Sequence, residues 1–114
     1  MSRRPWKERI EDILDAVAEI QSFVGHTDFD RFQGDAKTLK AVTADLTIIG
    51  EAAQRIPDHV KSAHPDVPWA LMSGMRNRIV HAYFDVDPGI VWDTVSNDLP
   101  QLVEPLRKIL DENA

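Results

Sequence analysis

Eight consecutive residues, Arg76-Asn77-Arg78-Ile79-Val80-His81-Ala82-Tyr83, gather cations, an amide, an imidazole and a phenol in one short stretch. An imidazole titrates near neutrality and can give or take a proton. Asn77 and His81 are four residues apart and would share one face of a helix. Arg76 lies one step round from Asn77, and its long side chain can bend toward the same space. In an ideal helix Arg76 and His81 differ by about 140° in direction, so within one chain they do not meet by default. Tyr83, seven residues after Arg76, returns to the Arg76 side. Each residue also has a plainer role. His81 could be a surface or hydrogen-bonded histidine, and Arg76 and Arg78 could serve the negative end of a helix dipole. Asn77 could be a buried amide bonded to a neighbouring helix, and Tyr83 a half-buried rim aromatic. A polar cluster beside an apolar stripe is costly unless it performs a task or meets a partner.

The elements that must position this cluster are helical. No segment shows the strict alternation of a half-buried strand. The first helix is expected over roughly Pro5 to Val24, with Trp6, Ile10, Ile13, Leu14, Val17, Ile20 and Val24 forming one stripe. A short helix should follow from about Asp28 to Gln33, capped by Thr27. The next runs from about Ala36 to Arg55, with Leu39, Val42, Leu46, Ile49, Ala53 and Ile56 on its packing face. A proline-rich connector, Pro57 to Pro68, leaves room for one turn at Asp58 to Ala63. A fourth helix is expected from Pro68-Trp69 to about Tyr83. Asp87-Pro88 reads as a cap and first-turn proline, opening a last helix to about Asp111 that Pro100 and Pro105 should kink or divide. The expected fold is all-α: an up-and-down bundle of four long helices plus one or two short ones, in a single domain over residues 1–114.

Composition narrows the function. The chain has 114 residues, 43% of them hydrophobic, and no cysteine, which removes disulfide and thiolate chemistry. Thirteen Lys and Arg against 19 Asp and Glu give a net charge of −6. That argues against a DNA-coating protein, although a nuclease needs only a local cationic site. No apolar run approaches the roughly 18 residues of a membrane span. Met1 to Arg9 is polar and basic rather than apolar, so no secretory signal is expected and the expected location is the cytoplasm. His26, His59 and His64 lack metal-ligand spacing, and no metal or other cofactor is expected. Trp6, Trp69 and Trp92 read as core or dimer anchors rather than base-stacking platforms.

The spacing of Arg76, His81 and Tyr83 resembles the Arg-x4-His-x-Tyr motif of the HepT toxins, within the HEPN superfamily. The flanks agree in order: Ile48-Ile49-Gly50-Glu51-Ala52-Ala53, Pro68-Trp69, Met72-Ser73-Gly74-Met75-Arg76-Asn77, Tyr83-Phe84-Asp85-Val86-Asp87 and Asn97-Asp98-Leu99-Pro100. The likeness covers about Lys7 to Ile109; Ala82 departs from it, standing where the family often has a larger polar residue. The resemblance implies a HEPN fold and a metal-independent endoribonuclease toxin, acting as a homodimer that joins two copies of the motif in one cleft. It implies that His81 moves a proton, from the RNA 2′-hydroxyl or to the leaving 5′-oxygen, and that Arg76 binds the scissile phosphate. Asn77 would orient His81 or donate to a phosphate oxygen, and Arg78 would hold a flanking phosphate or simply be solvated. Tyr83 is the implied site of AMP transfer from a minimal nucleotidyltransferase antitoxin. Glu51 either pairs with Arg55 one turn away or reaches across the bundle to fix Arg76. The partners implied are RNA, the antitoxin and a second copy, with neither DNA nor membrane. The alternatives are an inactive HEPN-like dimeric module that holds a nucleotidyltransferase or a nucleotide, and a helical adaptor pairing through the Leu39 to Ile56 stripe.

Overall fold

A computed structural model describes the backbone of residues 5–82 and 85–113, and the side chains of these apart from residues 76, 79–82 and 85. The architecture is all-α, as expected. Two 19-residue helices, α1 (Trp6–Val24) and α3 (Ala36–Gln54), pack along one another and form the spine of the bundle. Their apolar stripes meet: Ile10, Ile13, Val17 and Ile20 of α1 and Val42, Leu46, Ile49 and Ala53 of α3 are buried, with Trp6, Leu14, Val24 and Leu39 at the margins. Helix α2 (Phe29–Gln33) links them and drives Phe32 fully into the core. Trp92 packs its ring against Phe32 and Phe29, at centroid distances of 5.1 and 6.1 Å. Trp69 is buried and donates its indole N–H to the His64 carbonyl at 3.0 Å. Both tryptophans therefore serve the packing.

The caps explain the short links. The Arg31 N–H donates to the Asp28 carboxylate, so Asp28, not the expected Thr27, starts α2. Asp35 starts α3, accepting from the Thr38 N–H and hydroxyl. These hydrogen bonds to its charged form hold its carboxyl below the usual range. The connector holds α4 (Asp58–Ala63) where a single turn was expected.

The expected fourth helix differs. It is divided at Gly74 into α5 (Trp69–Ser73) and α6 (Met75–Ile79), and it ends at Ile79 rather than near Tyr83. Val80–Ala82 (β1) is extended and pairs antiparallel with Asp85–Val86 (β2), Val80 opposite Val86. Consecutive β-branched residues, Ile79 and Val80, favour that departure from helix.

Asp87 then caps α7 (Pro88–Asp93) by accepting from the Gly89 and Ile90 N–H groups, as its sequence predicts. A π-helical turn (Thr94–Asp98) and a 3₁₀ turn (Leu99–Gln101) follow before α8 (Val103–Glu112). Pro100 accounts for the division, since its ring would clash with the carbonyl four residues back in a regular helix. Pro105 causes no break because it sits in the first turn of α8, where its missing N–H costs nothing. Among the described residues, no helix is long and apolar enough to cross a membrane.

Candidate active site

Helices α3, α5 and α6 bound an open polar cleft of about 370 Å³, lined by Gly50, Glu51, Gln54, Arg55, Ser73 and Asn77. Two sequence features bring these walls together. Residues 50, 51, 54 and 55 recur at helical spacing near the end of α3, and Met72 and Met75 bury their side chains beside the α3 core. A hydrogen bond joins the walls directly: the Gln54 amide donates to the Ser73 carbonyl at 3.3 Å.

Of the residues singled out by sequence, Glu51 and Asn77 share this cleft, both exposed. Glu51 makes no ion pair with Arg55 among the described residues, so the surface-pair alternative is not realised. Arg78 does not line the cleft. Its Nη1 donates to Asp98 Oδ2 at 3.1 Å, and the π-helical turn before Pro100 presents that carboxylate. Arg76 lies on α6 and His81 in β1; their side chains, and with them the Glu51–Arg76 alternative, lie outside what is described. Tyr83 lies outside the described residues altogether.

One expectation is corrected. Asn77 and His81 were to share a helix face, and Arg76 and His81 were to diverge by a helical angle. Because α6 ends at Ile79, neither relation applies across Val80–Ala82.

Sequence reasoning passed over Gln54 and Ser73, and it saw Arg55 only as a partner for Glu51. The one-turn spacing of Glu51 and Arg55 held the signal that both face the same side. Among the described residues, no three His, Cys, Asp or Glu side chains converge to hold a metal ion.

Fold and cleft together define a small all-α domain with a polar, cation-bearing groove near one end of its central helix. The chain belongs to the HepT-like ribonuclease family, whose model matches residues 13–109. A relative from Thermococcus cleftensis, named "Probable ribonuclease HepT", is 43% identical over 109 residues, 93% of this chain and 99% of its own length. Two others, from Methanocaldococcus jannaschii and Caldanaerobacter subterraneus subsp. tengcongensis, carry provisional RNase names. They are 33% and 32% identical, over 98% and 90% of this chain and 93% and 92% of their own lengths. No solved structure matches the chain.

Proposed function

We propose that this protein is an endoribonuclease toxin of a type VII toxin–antitoxin pair, cutting RNA without a metal ion in the cytoplasm. Membership of the HepT-like ribonuclease family carries this reading, because the family match spans the whole Arg76 to Tyr83 motif. The cleft supports it by setting Asn77 beside Glu51 of the Ile48 to Ala53 segment.

RNA carries its own nucleophile. The 2′-oxygen forms a bond to phosphorus as the bond from phosphorus to the 5′-oxygen breaks. The hydroxyl proton leaves to a base, and the 5′-oxygen takes one from an acid. The products are a 2′,3′-cyclic phosphate and a 5′-hydroxyl. His81 moves one of these protons, Arg76 neutralises the charge that grows on the phosphate, and Asn77 orients the imidazole or a phosphate oxygen. In the homodimer, Arg76 of one copy serves with His81 of the other. AMP transfer to Tyr83 by a minimal nucleotidyltransferase adds negative charge and bulk that repel RNA phosphates.

The test is a purified-protein assay on labelled RNA in excess chelator. Cleavage leaving 2′,3′-cyclic phosphate ends, and lost when one 2′-hydroxyl is replaced by hydrogen at the cut site, is expected. Binding without cleavage would favour the inactive module instead. For Tyr83, incubation with a cognate minimal nucleotidyltransferase and ATP should raise the mass by whole AMP groups, with release of pyrophosphate, and Tyr83→Phe should abolish the gain. An unchanged gain in that variant would place the modification elsewhere.

A further inference from the structure

We infer that Arg55 is a phosphate-binding residue of the cleft, gripping the RNA strand beside Asn77; this rests on the ribonuclease reading above. Arg55 ends α3 as its C-cap residue, with φ −92° and ψ 0°, and its exposed side chain lines the cleft with Asn77. A cation is favoured at a helix C-terminus whatever its function. Three further observations assign it more.

Its charge is uncommitted: among the described residues the Arg55 guanidinium makes no ion pair or hydrogen bond, although Glu51 lies one turn away on the same helix. Arg78, by contrast, already spends one face of its guanidinium on Asp98 and stands outside the cleft. The helix end that carries Arg55 is also tethered to the opposite wall of the cleft. The neighbouring Gln54 is bonded to the Ser73 carbonyl, which ties the end of α3 to the helix that leads to Asn77. Finally, a body with net charge −6 repels a polyanion, so a cation standing in the cleft weighs heavily in binding. The guanidinium fork matches two phosphate oxygens at once, which an ammonium cannot do.

Cleavage of a short RNA is measured over a range of salt concentrations for the wild type, Arg55→Ala, Arg55→Lys and Arg107→Ala. Arg107 is an exposed arginine on α8, away from the cleft, and controls for the loss of one surface charge. Arg55→Ala should raise KM about 10-fold with little change in kcat, as expected for a charged hydrogen bond lost from binding. It should also reduce the salt dependence of kcat/KM by about one phosphate contact. Arg55→Lys, which keeps the charge and the stem, should recover the salt dependence and part of KM. Melting temperatures should stay together, since the side chain is exposed. If the wild type cleaves RNA and Arg55→Ala matches Arg107→Ala in KM and salt dependence, this inference falls alone. If the wild type cleaves no RNA, the ribonuclease reading falls and takes it along.

Discussion

Replacing His81 with alanine is expected to lower the rate of RNA cleavage by about 10²- to 10⁴-fold, the range lost when a positioned acid or base is removed. RNA binding should change little, because the phosphate grip is assigned to guanidinium groups. The effect should therefore fall on kcat, in contrast to the KM effect expected at Arg55. In cells, toxicity of the native protein should disappear with the variant. Equal cleavage or equal toxicity in the alanine variant would remove His81 from the mechanism.

The same variant tests whether the working site is shared between copies. Co-expression of His81→Ala with Arg76→Ala produces mixed dimers. If Arg76 of one copy serves with His81 of the other, each mixed dimer holds one complete site. Random pairing makes half the dimers mixed, so roughly a quarter of the native activity should return. Sites built within single chains would return none. This comparison matters because α6 ends at Ile79, which removes the helical geometry that had set Arg76 and His81 apart. Sharing now rests on the family likeness, and complementation examines it independently.

What could be read from sequence, and what could not, follows from the range of the interactions. The stripes of α1 and α3 were legible because a 3.6-residue period reports burial directly, and Ile10, Ile13, Val42, Leu46 and Ile49 all lie in the core. The Asp87-Pro88 start of α7 was legible because a cap is a contact within four residues. Thr27 and Asp28 are adjacent candidates for one role, so composition alone could not decide between them. The apolar period alone runs on to Tyr83 and overshoots, because it does not weigh the β-branched pair Ile79-Val80 or the pairing of Val80–Ala82 with Asp85–Val86.

The site divides in the same way. Glu51 and Asn77 were found by motif, and the cleft unites them. The Arg78–Asp98 pair spans 20 residues and depends on a π-helical turn, which no local pattern announces. Asn97-Asp98-Leu99-Pro100 was recognisable as a segment without a role; the fold gives Asp98 one. Arg55 was hidden because its most obvious neighbour, Glu51, offers a conventional helix-surface pair that the structure does not form.

Asp45→Asn is expected to stabilise the protein above pH 6 by about 1–2 kcal/mol, and the gain should vanish as the pH falls toward 4. Asp45 lies on the core-facing side of α3, is 4% exposed, and its Oδ2 has no hydrogen-bond partner. It borders a surface groove with Asp12, Asp15 and Glu19 of α1, so every titratable side chain lining that groove is acidic. Burial first, and then the neighbouring Glu19 carboxyl, which favours a proton shared between the two and repels a second charge, push the Asp45 carboxyl from 3.8 to about 6. The sign follows from proton counts. Between pH 3.8 and 6 the folded chain holds a proton on Asp45 that the unfolded chain has lost, so raising the pH through this window drains stability. Each pKa unit is worth about 1.36 kcal/mol, and solvent in the open groove beside Asp45 screens part of the rise. Asparagine keeps the size of the side chain, carries no charge at any pH, and can donate its amide N–H to Glu19. Glu19→Gln should give a smaller gain, because it removes the repulsion but leaves Asp45 buried. Urea midpoints at pH 4, 5.5 and 7.5 would decide the matter. A variant less stable than the wild type at pH 7.5 would mean that the Asp45 carboxylate is compensated by a cation after all.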